Sequence, residues 1–313
     1  MATSPTVRKD LEIKIIEAQG LTWVNVGHPS LAEMEYLKAR YSFHHLDLED
    51  CLSRVQIPKV DEYPNYLFLV VHFPVFNRKA RVTLPSQVGI FVGADFVVTV
   101  HRGDLRPLVK LFEDCQGSEA IRHECMGQSS GHLLYRILDH LVDYCFPVLN
   151  KIIEQVDRLE EGILEPHSGI VQELSIVRRD VIAYRRVIRP QIEVMESLEA
   201  KEYPFLRVDP DVYFGDLADH TRRIWVELEE LKEVTEGLSD TLFTLNSHLT
   251  NDVMRILTVL FTVMLPLIAV SGLYGMNVAL PFAGHTWAFA ITFIPSIIMG
   301  ALLFLFFRLK RWI

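Results

Sequence analysis

The chain has 313 residues, half of them hydrophobic and 23% charged, with 31 basic against 40 acidic side chains and a formal net charge of −9. That length supports one or two domains with a sizeable core. The acidic balance excludes nucleic acid as a natural partner, since binding it needs clustered Lys and Arg. Four cysteines, Cys51, Cys115, Cys125 and Cys145, show no C-x-x-C spacing, so neither a disulfide scaffold nor a cysteine zinc site is expected. The opening MATSPTVRKDLEIKII has no apolar h-region of a secretory leader.

Taken in chain order, Leu21–Val26, Tyr66–His72, Val88–Val92 and Phe96–Val100 are β-rich runs bounded by Gly, Pro, Asn and Asp. Ser30–Arg40, with Pro29-Ser30 as its cap signal, and Leu105–Cys115 have helical patterning. Residues 1–125 are therefore expected to form an α/β domain. From 126 to 203 the pattern changes to long charged helices. His132–Leu164 has apolar steps of three and four, Glu165–Gly169 makes a turn, and Ile170–Ile188 follows as the second arm of a helical hairpin. The arginines of that arm (Arg178, Arg179, Arg185, Arg186, Arg189) are expected on a solvated face paired with acids.

Residues 204–255 read as a linker from Pro204 to Pro210 and a stalk helix. The apolar series Leu217, Ile224, Leu228, Leu231, Val234, Leu238, Leu242, Leu245, Leu249 and Val253 forms a coiled-coil-like seam. No turn signal interrupts it, so one helix is predicted from about Asp216 to about Gly272. Ile256–Phe307 then contains 52 residues without Asp, Glu, Lys or Arg. It divides into Ile256–Tyr274, ~28 Å as a helix, and Thr286–Phe307, ~33 Å, against a bilayer core of ~30 Å. Residues 275–285 (GMNVALPFAGH) form the turn between them. Arg255 precedes the first span, and Arg308, Lys310 and Arg311 in the tail 308–313 follow the second. The positive-inside rule therefore places both ends in the cytoplasm and the loop outside a cell (inner or plasma) membrane.

Tyr274-Gly275-Met276-Asn277 stands at the outer end of the first span, between two C-terminal apolar segments and before a basic tail. In that setting the sequence closely resembles the CorA family of divalent-cation channels. The resemblance is carried by Thr250–Thr258, Pro266, Ser271–Asn277 and Lys310-Arg311-Trp312. It extends upstream to Leu48-Glu49-Asp50, Pro58-Lys59-Val60, Tyr213-Phe214, Asp216, Asp219 and His220.

The resemblance implies an α+β membrane protein assembled as a funnel-shaped homopentamer in the lipid bilayer. Five first spans would surround a pore, with the second spans outside and a cytoplasmic α/β domain. It implies Mg2+ influx, with Co2+ and Ni2+ as further cargo, and no enzymatic activity. Mg2+ dehydrates reluctantly. A neutral filter of Gly275, Met276 and Asn277 suits it by hydrogen-bonding the ion's waters without stripping them. As a bare sequence feature, Asn277 also reads as a polar cap. Stepping back by threes and fours gives Gly272, Ile268, Leu265, Phe261, Leu257 or Thr258, Met254 and Asn251 as pore-lining. Met254, Leu257 and Phe261 would make a dry constriction that gates by dewetting, although helix packing alone accounts for such residues equally well. Cytoplasmic Mg2+ as regulator is assigned by resemblance to Asp216 and Asp219. Oxygen ligands suit it, but acids also stabilise a helix N-terminus.

Three departures stand out. Val75-Phe76-Asn77-Arg78 occupies the segment where the family usually places a facing acid, the outer loop VALPFAGHTWAF carries no carboxylate, and Ile268 replaces a pore threonine. A zinc transporter of the related ZntB type is the nearest alternative, and the intact Met276 argues against it. A membrane-tethered enzyme is disfavoured, because no G-x-S-x-G, H-E-x-x-H, P-loop or G-x-G-x-x-G is present. A non-conducting metal sensor is the remaining class.

Overall fold

The structure is a computed structural model describing residues 11–53, 56–163, 169–276, 285, 287–310 and 312. A six-stranded sheet is built from β1 (Ile13–Ala18), β2 (Leu21–Gly27), β3 (Lys59–Glu62), β4 (Tyr66–Asn77), β5 (Val82–Gly93) and β6 (Phe96–His101). Its order is β1-β2-β6-β5-β4-β3. Only β2 and β6 pair in parallel, with Asn25 opposite Thr99 and Gly27 opposite His101. The four runs read as strands are all strands. The two edge strands, β1 and β3, lie outside that reading: β3 is four residues long and mostly charged, and β1 (IKIIEA) is broken by Lys14 and Glu17. β1 turns into β2 through Gln19-Gly20, both at positive φ (51° and 83°), the geometry of a two-residue hairpin turn. Gln is an uncommon residue there, so the turn gives little sequence signal.

Helices cover both faces of the sheet. α1 (Leu31–Tyr41) and α2 (His45–Leu52) bury Met34, Leu37, Leu48 and Cys51 against Val24, Val26, Phe68, Val70 and Phe91. Ser30 and Glu33 close a capping box at the start of α1. The other helices of this unit are α3 (Arg106–Gly117), α4 (Glu119–Met126), α5 (Ser130–Gly162) and α6 (Ile170–Glu199). α3 sets Phe112 edge-on against Trp23, ring centroids 4.9 Å apart, on the opposite sheet face. Burial on both faces explains why the central strands are continuous apolar runs.

α6 continues through Pro190 to Glu199, eleven residues past the predicted end at Ile188. The break expected at a proline is overridden because Gln191, Val194, Met195 and Leu198 are buried. The arginine face of α6 is paired with acids only in part: Arg178 meets Glu236 and Arg185 meets Glu229 on the following helix, while Arg179 donates to the Ala80 carbonyl.

α7 runs unbroken over 65 residues, Pro210–Tyr274. It starts six residues before the predicted Asp216, since Pro210 is well suited to a first helical turn. The chain divides into two compact units, Met1–Leu238 and Ser239–Ile313. In the first, Phe214, Leu217, Ile224 and Leu228 of α7 are fully buried. In the second, the seam residues Leu249 and Val253 are exposed. That unit comprises the end of α7 and α8 (Ala288–Leu309), and both helices are long and apolar enough to cross a membrane.

Candidate functional site

The apolar end of α7 has two distinct faces. Val259 and Pro266 are buried and Val263 and Val270 are half-buried; at about 100° per residue these four fall within one narrow stripe. That stripe meets α8, where a β-carbon at Gly300 would stand 3.1 Å from the Val263 carbonyl oxygen. On α8 the buried residues Ser296 and Gly300 lie one turn apart. Small residues of this kind let apolar helices approach closely. The sequence reading did not single them out, although their four-residue spacing was visible.

Met254, Leu257, Phe261, Leu265 and Ile268 lie on roughly the opposite side of α7, each between 43% and 64% exposed. Gly272 shares that side, with Asn251 and Thr258 on its flank, and all three are exposed. The Thr258 hydroxyl donates back to the Met254 carbonyl at 2.7 Å, so its hydrogen is turned away from solvent. α7 ends at Tyr274; the Gly275 N–H donates to the Ser271 carbonyl at 3.0 Å and the Met276 N–H to Leu273 at 3.3 Å. Met276 is 56% exposed. Asn277 lies outside the described residues.

In the first unit, the two acids singled out on α7 differ. Asp219 is held by Arg222 at 2.8 Å, and the same guanidinium also reaches Glu196. Asp216 accepts from the Tyr135 hydroxyl at 3.4 Å and lies 3.8 Å from His220 Nε2, one turn along. The structure adds what the sequence reading did not assemble. One carboxylate oxygen each from Asp139 and Asp143, one turn apart on α5, and one His220 ring nitrogen lie within 4.8 Å of one another. Burial, and next the charge of Asp143, push the Asp139 carboxyl above its usual range, with Asp216 acting in the same direction. His220 Nδ1 is buried without a hydrogen-bond partner among the described residues.

Crowded carboxylates with an imidazole fit a divalent cation, which would offset the repulsion among them. Donors around a metal at about 2.0–2.2 Å are at most ~4.4 Å apart, so the cluster needs only a small closure. The carboxylates suit Mg2+, whereas the imidazole is a donor preferred by Co2+, Ni2+ and Zn2+.

A family model described as CorA-like Mg2+ transporter protein matches residues 18–311. The cobalt/magnesium transport protein CorA of Thermotoga maritima is 29% identical over 300 residues, covering 93% of this chain and 83% of its own. The CorA magnesium transporter of Methanocaldococcus jannaschii has a similar structure, with a TM-score of 0.81 at 22% identity over 95% of this chain and 93% of that one. The zinc transport protein ZntB of Yersinia pestis is 22% identical over 254 residues, covering 81% of this chain and 76% of its own.

Proposed function

Because the chain belongs to the CorA-like Mg2+ transporter family, whose members are transporters and not enzymes, we propose that this divalent-cation transporter carries Mg2+ into the cytoplasm through a homopentameric pore. Co2+ and Ni2+ are further cargo. Residues 1–255 and the tail 308–313 lie in the cytoplasm, 256–274 and 286–307 span the inner or plasma membrane, and 275–285 face outside.

The observation that carries this reading is the exposed stripe Met254, Leu257, Phe261, Leu265 and Ile268, turned away from the face that packs on α8. Such a stripe on an apolar helix is satisfied by copies of itself, and a ring of these residues is a dry constriction that resists ions until it hydrates. Asn251 forms a polar ring at its cytoplasmic end. At the outer end, Gly275, Met276 and Asn277 hold the ion through its retained waters, which avoids the cost of stripping Mg2+. Asp216, with Asp139, Asp143 and His220, binds cytoplasmic divalent ion and favours the closed pore. Asp219 has a lesser part, because Arg222 already occupies it.

A second reading, Zn2+ transport of the ZntB kind, draws on the imidazole of His220, a donor better suited to zinc than to magnesium. Flux into proteoliposomes tests both. Mg2+ uptake lost in Asn277→Ala supports the first reading, and uptake untouched by that change overturns the filter. Passage of Zn2+ without Mg2+ overturns the cargo while leaving the family intact.

A further inference from the structure

A cleft of about 710 Å3 opens in the first unit where the end of β4, the loop before α3 and the middle of α5 converge. Its wall presents Arg78, Arg106 and Lys151, together with the rings of Phe76 and Tyr144. In a chain with nine more acids than bases, three converging cations are unusual. None of them is in an ion pair among the described residues, whereas four of the eight arginines of α6 and α7 are.

The two acids of the wall are already engaged. Asp104 accepts from the Ser86 hydroxyl, and Asp180, 3% exposed, accepts from the Thr83 backbone N–H. The turn that carries Arg78 and the Lys151 ammonium are also held in place. Asn77 accepts from the N–H groups of Lys79 and Ala80 at 3.0 Å, forming an Asx turn that carries Arg78. Arg179 of α6 fastens the same turn by donating to the Ala80 carbonyl at 2.8 Å. The Lys151 ammonium lies 3.9 Å from the centre of the Phe76 ring.

We propose that this cleft binds a multivalent phosphate anion, a polyphosphate or the phosphate chain of a nucleotide, through Arg78, Arg106 and Lys151. Three converging cations offer contacts to several phosphate oxygens, with the carboxylates of Asp104 and Asp180 in the same wall offsetting part of their charge. The volume falls within the roughly 300–1,000 Å3 of small-molecule sites and exceeds the needs of one phosphate. Arginine pairs with phosphate oxygens in two parallel bonds, and lysine adds a point charge. The site concerns an anion on the water-soluble unit and does not depend on which cation crosses the membrane.

Calorimetric titration of the full-length protein in detergent, with EDTA present so that no metal bridges the ligand, tests the proposal. The probes are tripolyphosphate, ATP and inorganic phosphate. Tripolyphosphate is expected to bind more tightly than inorganic phosphate. Arg78→Gln and Lys151→Gln should each weaken it about tenfold or more, the usual loss for one charge-assisted contact. Lys14→Gln, on the exposed edge strand, should leave it unchanged. ATP binding more tightly than tripolyphosphate identifies a nucleotide resting on Phe76 and Tyr144; equal affinity identifies polyphosphate alone. Lys151 is on the surface of α5, so its variant keeps its fold, checked by an unchanged melting temperature without ligand. No binding at millimolar tripolyphosphate, or equal binding by the cleft variants and wild type, overturns the proposal.

Discussion

The carbonyl oxygen of Val263 on α7 and Gly300 on α8 are placed so that a β-carbon at 300 would stand only 3.1 Å from that oxygen. The contact is backbone against backbone, so neither partner yields by changing a rotamer.

Gly300→Leu is therefore expected to separate the two apolar helices. Overpacking of this kind costs about 1–3 kcal/mol, and the variant should melt several degrees below wild type in detergent. Gly300→Ala, needing a shift of a few tenths of an ångström, should lie between them. Equal melting temperatures for all three would remove the contact from any account of the helix pair.

The exposed stripe of α7 gives a second prediction. Leu257→Asn would place an amide in the proposed constriction and favour its hydration. Mg2+ uptake should rise several-fold in proteoliposomes whose lumen already holds millimolar Mg2+. A substitution on the packed stripe, Val263→Asn, should instead lower the amount of folded protein. Similar behaviour of the two variants would mean that the faces are not functionally distinct.

The acid cluster distinguishes four residues. A metal that binds only the folded state at tenfold above its Kd adds about 1.4 kcal/mol. The resulting rise in melting temperature on adding Mg2+ or Co2+ should vanish in Asp139→Asn and fall in Asp216→Asn. It should persist in Asp219→Asn, because Arg222 already occupies that carboxylate. His220→Ala should reduce the response to Co2+ more than the response to Mg2+, since the imidazole matters most to the softer ion. An undiminished rise in Asp139→Asn would rule the cluster out as the site.

A fourth prediction concerns acid stability. Trp23 Nε1–H donates to Thr99 Oγ1, whose hydroxyl donates to Asn25 Oδ1. His101 shares that Asn25 oxygen at 2.9 Å, while its Nδ1 accepts the Gly103 N–H at 3.0 Å. The ring is thus satisfied only when neutral, with the proton on Nε2; a second proton would face the Gly103 N–H. Burial pushes the His101 pKa down to about 4 from the ordinary 6.5, and burial also lowers His72 and His132. Because the unfolded chain takes up protons first, this stability is full above pH 6.5. It is lost as pH falls toward 4, by at most roughly 3 kcal/mol for His101. Melting temperature followed from pH 7 to pH 4 should fall, and fall less steeply in His101→Asn. An identical slope would relieve His101 of the role.

The sequence alone determined what depends on neighbours along the chain. The uncharged run from Ile256 to Phe307, the strands around Phe68 and Phe91, and the long apolar seam of α7 are all periodic or compositional, and the helices and strands appear where those patterns lie. The stripe containing Leu257 and Phe261 was also legible, because helical spacing fixes which residues share a face. Local signals failed where packing overrode them: α6 passes Pro190 because four later residues are buried. They were also silent at the edge strands, where β3 is short and charged and an unusual Gln19-Gly20 turn follows β1. Only the tertiary structure brought His220 to Asp139 and Asp143, joined Arg222 to Glu196, and gathered Arg78, Arg106 and Lys151 around one cleft. Each of these joins residues on different elements. Their distances follow from how helices and sheet pack, and that is set by the summed burial of the core, not by spacing along the chain.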